Sequence, residues 1–254
     1  MPEPFYVADP AAAPKPFVHP VTTPGGVELS TVSPPDHAWH RGLWFTFKFV
    51  DGDNFWEEDH AIGFGRQIHV SATALEWRRP DGSVAITETR SVERAPSAPA
   101  GSIVIDWTTS LTAVTDVVLD RTPYTTWGGY GGLTFRGRSD WSDTRVLLDD
   151  GSTQRRPEGI PSRWADLSGP TAGVAFLDHP SNLRHPVRWY GASRSRVYGE
   201  GWSNFLNAAL LFAEPLLLGA RETLDLRYRV IAHDGEWSRD EVDDAWSAWV
   251  GRAP

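Results

Sequence analysis

The 254-residue chain has 40% hydrophobic and 22% charged residues, which provides enough apolar surface for a sizeable core. Its net charge of −9 disfavours a nucleic-acid partner, and the absence of cysteine excludes disulfides and thiolate chemistry. The longest apolar run, 208–220, is interrupted by Glu214 and Pro215 and is shorter than the roughly 20 residues that span a bilayer, so no membrane partner is expected.

The spacing of turn signals predicts one mostly β domain over residues 1–254, with 1–15 as an N-terminal extension. Pairs such as Pro-Gly and Asp-Gly recur along the chain, and the segments between them alternate as strands do. The N-terminus has neither a basic region nor an apolar signal core, which favours a cytoplasmic protein. Whether it forms a homo-oligomer is left open.

Several segments have the period-2 pattern of half-buried strands. Segment 43–50 places its odd-numbered apolar residues on one face and Trp44, Thr46 and Lys48 on the other. Segment 68–76 is expected to form one strand with Val70 inward and His69 outward. Segments 102–111 and 223–232 alternate in the same way, and 173–177 is continuously apolar, as in a strand covered on both faces.

One helix is predicted at the C-terminus, over residues 238–252. Ser238 and Glu241 form an S-x-x-E capping box, and apolar residues follow at helical spacing, namely Val242, Ala245, Trp246, Trp249 and Val250. We expect this helix to cover an edge of the β domain, with the two tryptophans as anchors.

The densest polar cluster is the loop 36–42, which reads Asp-His-Ala-Trp-His-Arg-Gly. His37 and His40 can transfer protons near neutral pH, and Arg41 can hold an oxyanion or carboxylate with its planar fork. One alternative is a hydrogen-bonded turn that caps the next strand. A second is a divalent-metal site, in which the two histidines would be joined by one of the residues His69, Glu57, Glu58 or Asp59.

A second polar cluster follows the apolar strand 173–177. Asn182 can bind hydroxyl groups through its amide, Trp189 offers a stacking face, and His179 is a further candidate for proton transfer. The alternative is that these groups only form turn hydrogen bonds. Because both clusters flank strands and are unsuited to a core, we expect His179 and Asn182 to face the same cavity as His37, His40 and Arg41.

A glycine pair, Gly131 and Gly132, leads into a strand that has Arg136 on its polar face. It is not a phosphate loop, because neither a lysine nor a helix start follows. The sequence has no G-x-S-x-G elbow and no dinucleotide fingerprint, so a serine hydrolase and a nicotinamide enzyme are disfavoured.

The 13 tryptophans exceed what a core of this size needs, and some of them are suited to stack on sugar rings.

Several motifs occur in order along the chain: PFVHPVTTPGG at 16–26, DHAWHRGLW at 36–44, NFW at 54–56, GGLTFR at 131–136, and DHPSN at 178–182 followed by Trp189. Through them, and over nearly its whole length, the chain resembles the bacterial family labelled "methane oxygenase PmoA". The resemblance implies a single large antiparallel β-sandwich similar to the galactose-mutarotase-like supersandwich. It also implies a link with sugar dehydrogenases and sugar isomerases. The mutarotase pattern of two histidines and a late glutamate is only partly matched.

Our leading hypothesis is an all-β enzyme that acts on a small carbohydrate, as a lyase or isomerase of a keto-sugar or keto-glycoside. A ketone at C3 acidifies the C2 proton, so a histidine base and a cation or metal at the developing enolate would suffice. We expect His37 or His40 to be the base and Arg41 or Arg136 to be the oxyanion partner. Further candidates for proton transfer or binding are His69 and His179. The sugar ring would lie against tryptophans, namely Trp44, Trp56 and Trp189. The alternatives are an aldose 1-epimerase and a non-catalytic sugar-binding or accessory protein for a dehydrogenase.

Overall fold

The structure is a computed structural model that describes residues 5–9, 13–122, 129–196, 199 and 201–251. In chain order its elements are β1 (Phe5–Val7), β2 (Phe17–His19), β3 (Leu43–Thr46), β4 (Phe49–Val50), β5 (Asp53–Asn54), β6 (Arg66–His69), β7 (Ala74–Arg78), β8 (Val84–Arg94), β9 (Ser102–Ala113), β10 (Val117–Asp120), β11 (Gly132–Arg136), β12 (Arg145–Leu148), β13 (Thr153–Gln154), β14 (Glu158–Pro161), β15 (Trp164–Ser168), β16 (Ala172–Asp178), β17 (Arg188–Ser195), β18 (Trp202–Ala208), β19 (Leu216–Leu218), β20 (Thr223–Asp234) and α1 (Arg239–Val250).

Two large antiparallel sheets form the sandwich. The first has seven strands in the order β1-β2-β3-β11-β18-β17-β14, and the second has nine in the order β13-β12-β15-β16-β20-β9-β8-β7-β6. A smaller sheet, β19-β10-β4-β5, completes the assembly. Several neighbouring strands, such as β3 and β11 or β16 and β20, are distant in sequence, so loops from remote parts of the chain can meet at one face.

The main core lies between the two large sheets, where every second residue of each strand points inward. Leu43 and Phe45 of β3 and Trp189 of β17 belong to this core, with Val174 and Phe176 of β16. Adjacent residues therefore point to the outer faces, since side chains alternate along a strand. The continuously apolar strand 173–177 is buried on both faces, as predicted.

The outer face of the seven-stranded sheet carries a second, aromatic cluster. Trp44, Trp56, Tyr190 and Phe205 belong to it, and Trp39 packs against them at partial burial. An aromatic cluster on the outside of a sheet is a candidate ligand surface, because the core of the sandwich does not need it.

The helix α1 lies on the outer face of the nine-stranded sheet. It begins with the predicted capping box, in which Ser238 and Glu241 exchange side-chain and backbone hydrogen bonds. Val242 is buried against this sheet, and Trp246 donates its indole N–H to the Asp178 carbonyl at 2.9 Å. The helix thus covers a face of the sandwich, and the prediction that it covers an edge is wrong.

One further prediction about the fold is wrong in detail. The predicted strand 68–76 is a hairpin of β6 and β7, in which Val70 is 54% exposed and its N–H donates to the Ala74 carbonyl. Within the N-terminal segment 1–15, the described strand β1 pairs with β2 and Lys15 is buried. No helix among the described residues has the length and apolar character needed to cross a membrane.

Candidate functional site

The histidine loop, residues 33–42, lies at the start of β3 and is held by its own backbone. The Ser33 N–H donates to the His40 carbonyl at 2.9 Å, which closes the loop into a compact turn. Gly42 ends the loop at φ +27°, and a Cβ at this position would lie 2.4 Å from the Val18 carbonyl oxygen. Only glycine therefore allows the loop to approach the neighbouring strand so closely.

The two imidazoles of the loop form a stacked pair with a charged partner behind each ring. The rings of His37 and His40 lie 4.5 Å apart with an interplanar angle of 23°. His37 Nδ1 lies 2.8 Å from Asp36 Oδ2, which also accepts from Arg136 Nη2 at 2.6 Å. Arg136 Nη1 in turn lies 3.4 Å from His40 Nδ1.

These contacts determine which ring nitrogen of each histidine carries a proton. Arginine can only donate, so His40 Nδ1 carries a lone pair and the neutral ring holds its proton on Nε2. Burial, with help from the positive charge of Arg136, lowers the pKa of His40 well below its usual range. Burial alone would raise the pKa of Asp36, but hydrogen bonds from His37 and Arg136 outweigh it and the pKa is lowered. Asp36 is thus a carboxylate that keeps a proton on His37 Nδ1.

Arg41 supports the loop from below and does not line the cavity described next. Its Nη2 donates to both carboxylate oxygens of Glu58 at 2.7 Å, and its Nη1 donates to Ser33 Oγ at 2.6 Å and to the Ala38 carbonyl. The buried Lys15 also reaches Glu58, at 3.2 Å. In this structure Arg41 is therefore occupied by protein groups, and of the two predicted oxyanion partners only Arg136 contacts an imidazole.

A cavity of about 300 Å³ opens on the outer face of the seven-stranded sheet, directly over the stacked histidines. This volume is at the low end of the roughly 300–1,000 Å³ typical of small-molecule sites, so it suits a single small ring. Its lining combines aromatic rings, two imidazoles, an amine and a carboxylate: His37, Trp39, His40, Lys48, Glu57, Tyr130, Tyr190 and Phe205.

Aromatic rings connect the two ends of this cavity. At the histidine end, His40 stacks on Phe205 at 5.3 Å and lies 5.2 Å from Trp44. Trp56 meets the edge of His40 at 6.1 Å and lies 4.7 Å from Tyr130. Trp44 and Trp56, both predicted to bind substrate, are fully buried, so they support the cavity from beneath.

The far end of the cavity holds an amine and a carboxylate in contact. Lys48 Nζ donates to Glu57 Oε1 and lies 5.6 Å from the centre of the Tyr130 ring. Asn54 fixes the glutamate, because its side-chain amide donates to Glu57 Oε2 at 2.7 Å and its carbonyl oxygen accepts from the Glu57 N–H at 3.0 Å. Polar groups are thus held at both ends of an aromatic cavity.

The carboxylates near the histidines do not fit a divalent ion. Among the described residues no three His, Cys, Asp or Glu side chains are grouped so that they could hold one. Asp36 is bound to Arg136, Glu57 to Lys48, and Glu58 to Arg41 and Lys15. Because each carboxylate already neutralises a cation of the protein, a dication would have to displace it.

The second polar cluster lies on the other face of the sandwich, so the expected shared cavity is wrong. His179 lines an open groove of about 930 Å³ on the outer face of the nine-stranded sheet, where it meets Trp249. Asn182 bonds to Asp178 and to the Arg227 backbone, as in the turn alternative. The first cluster precedes β3 of the seven-stranded sheet and the second follows β16 of the nine-stranded sheet, which is why they lie on different faces.

Two more predicted residues lie away from the cavity. His69, in β6, lies 2.9 Å from the Tyr6 hydroxyl through Nε2 and 3.0 Å from the Ser71 carbonyl through Nδ1. Trp189 is fully buried between the sheets and donates its indole N–H to the Ser162 carbonyl at 2.8 Å. Both side chains satisfy structural hydrogen bonds and neither lines the cavity of the histidine loop.

The sequence reasoning gave no individual role to five residues that line the cavity, Trp39, Lys48, Tyr130, Tyr190 and Phe205, and it named Glu57 only as a possible metal ligand. One available signal was lysine usage. Lys15 and Lys48 are the only lysines in the sequence, and both lie at this site. The alternation of side chains along segment 43–50 was a second signal, because it places Lys48 on the same face as Trp44.

The chain belongs to the family DUF6807, described as a family of unknown function, whose model matches residues 5–247. A search of curated proteins finds no match. Among solved structures, a polysaccharide lyase superposes with a TM-score of 0.45 at 13% sequence identity. The match covers 96% of this chain and 34% of the lyase, so the chain spans about a third of that protein's length.

Proposed function

We propose that this protein is a carbohydrate-active enzyme, a lyase or isomerase that removes the proton next to the carbonyl of a keto-sugar. The observation that carries the proposal is the stacked histidine pair, in which an Asp36-bound imidazole and a neutral imidazole face one aromatic cavity. Such a cavity suits a sugar ring, because aromatic faces contact its C–H groups while polar groups bind its hydroxyls.

The geometry supports different roles for the two histidines. Asp36 keeps the proton on His37 Nδ1, so His37 can accept the substrate proton at Nε2 and Asp36 stabilises the imidazolium that forms. His40 keeps its proton on Nε2 and stays neutral, which suits a hydrogen-bond donor to the oxygen of the developing enolate. Arg136, behind His40, strengthens this donor by its positive charge.

Chemically, proton removal at C2 of a 3-keto-sugar places the electron pair on the C3 oxygen. The enolate can then be reprotonated, which exchanges or inverts C2, or it can expel a group from C1, which is elimination. Both outcomes begin with the same step. Loss of the C2 proton is therefore the common event to measure.

The test is proton NMR of methyl 3-keto-glucoside in D₂O with the purified protein. We expect loss of the C2 proton signal with wild type and a rate lower by about 10²–10⁴-fold in His37→Ala. His179→Ala is a matched control, since this histidine lies in the groove on the opposite face, and it should leave the rate unchanged.

The same experiment separates the alternatives. Anomer exchange of glucose without C2 exchange would instead support an aldose 1-epimerase. Saturable binding of the keto-glucoside, seen by tryptophan fluorescence, with neither exchange nor product would support a sugar-binding protein and would refute the enzyme proposal.

A further inference from the structure

Lys48 and Glu57, at the amine end of the cavity, are held in place by protein contacts as the histidines are. The proposed proton abstraction does not use them. Lys48 is 8% exposed and lines the cavity, and among the described residues its polar partner is Glu57, which Asn54 holds in place. A buried ion pair stabilises a fold weakly, because desolvation offsets the attraction. An amine that is costly to bury and points into a ligand cavity therefore calls for a chemical role.

The position of the Lys48 amine suits a reaction in which one group removes a proton from the substrate and a second group donates a proton to a different substrate atom. From His40 the contacts run through Trp56 and Tyr130 to the Lys48 ammonium, with successive separations of 6.1, 4.7 and 5.6 Å. The histidines and Lys48 thus line the same cavity, with aromatic rings between them against which one sugar ring could rest. Elimination from a keto-glycoside needs a base at C2 and an acid at the oxygen on C1.

Residue type supports the same role. The chain has 24 basic residues and only two of them are lysines, so its cations are nearly all arginines. Arginine forms three of its buried ion pairs, at Arg41, Arg90 and Arg136, and Lys15 forms another with Glu58. Arginine hardly ever loses a proton, whereas an ammonium can donate one and recover it. A lysine at the cavity supplies what the chain's usual cation does not.

We propose that Lys48, oriented by Glu57, is the general acid that protonates the leaving-group oxygen, and that the substrate class is a 3-keto-glycoside. This inference rests on the proposed function. The base takes the C2 proton, and the electron pair moves to the C3 oxygen. When the ketone re-forms, the C1=C2 bond forms, the C1–O bond breaks, and the released oxygen takes a proton from Lys48 Nζ.

The products are a conjugated enone and an alcohol. One proton has moved from C2 to the leaving oxygen and no electrons are gained or lost, so no co-reactant is needed. Proton return from the imidazolium to the amine, through water, restores both groups.

The test compares two substrates that differ only in their need for an acid. Methoxide is a poor leaving group that requires protonation, whereas 4-nitrophenolate departs without it. Lys48→Arg keeps the charge and a donor for Glu57 but cannot supply the proton. We expect this variant to release methanol from methyl 3-keto-glucoside about 10²-fold more slowly or worse, and to release nitrophenol within a few-fold of wild type.

Exchange of the C2 proton in D₂O provides the second readout and should persist in Lys48→Arg. Arg78→Lys is the control, because it swaps cation types in an exposed ion pair with Glu76 on the other sheet, and it should behave as wild type. Lys48→Met repeats the comparison without a charge, with melting temperature as the check on folding.

The outcomes distinguish the two proposals. If wild type neither exchanges C2 nor releases either alcohol, the proposed function fails and this inference fails with it. If wild type is active but Lys48→Arg slows both substrates equally, or slows neither, only the role of Lys48 is refuted. The same holds if wild type cleaves the nitrophenyl substrate and not the methyl one.

Discussion

Lys15, the second lysine, provides a direct test of how strongly the interior beneath the site excludes water. The residue is 2% exposed, and its ammonium donates to the Trp56 carbonyl at 2.8 Å and to Glu58. Burial lowers its pKa from 10.5 to about 8, against the opposing attraction of Glu58. The perturbation we consider is Lys15→Met, which keeps a similar length and removes the titrating group.

The sign of the effect follows from proton binding in the two states. Between about pH 8 and pH 10.5 the folded protein has released the Lys15 proton while the unfolded chain still holds it. Stability rises with pH wherever the unfolded state binds more protons. At roughly 1.4 kcal/mol per pKa unit, wild type should gain about 3 kcal/mol relative to Lys15→Met between pH 7 and pH 10.5.

The measurement is urea denaturation of both proteins at four pH values across this range. Other groups titrate equally in the two proteins, so the difference in their unfolding free energies isolates Lys15. Arg78→Met serves as control and should differ from wild type by a constant amount, because arginine does not titrate here. A difference for Lys15→Met that stays constant within about 0.5 kcal/mol would refute the reasoning, since it would mean that the amine is well solvated.

Three further predictions concern residues of the site and core. His40→Ala should lower keto-glycoside turnover per folded molecule by about 10²–10⁴-fold, and it should also lower the melting temperature, because the buried ring packs against His37 and Phe205; an unchanged rate in the folded variant would remove its role as donor. Arg41→Lys should lose about 1–3 kcal/mol in urea denaturation, because an ammonium cannot bind Glu58 and the loop oxygens together; equal stability would contradict this. Trp189→Ala should lose about 3–5 kcal/mol and leave KM unchanged per folded molecule, since the indole is buried between the sheets; a large KM change would place it in the site.

Local patterns predicted much of this fold, because they report on one element at a time. Alternation in 43–50 identified the two faces of β3, and the Ser238 capping box identified the start of α1. The hairpin at 70–73 was missed because its turn contains neither glycine nor proline and its Ser71 side chain supplies the turn hydrogen bond instead.

The site was only partly predictable from the sequence. Its membership depends on which face of a sheet each side chain points to and on the order of the strands in each sheet. The histidine loop was identified because loops with clustered titratable groups are poor core formers. In β17, however, the adjacent residues Trp189 and Tyr190 point to opposite faces, and only the sheet order shows that the tyrosine is the one at the cavity. His179 failed as a partner for the same reason, since its strand belongs to the other sheet.

The two lysines also make the site accessible to covalent chemistry before any substrate is known. An acylating reagent that modifies amines meets only two ε-amino groups in the whole sequence, and both belong to this region. Lys48 opens onto the cavity whereas Lys15 lies beneath it, so brief acylation should favour Lys48. A compound bound in the cavity would shield that amine, and intact mass would report occupancy directly in a mixture of candidate sugars.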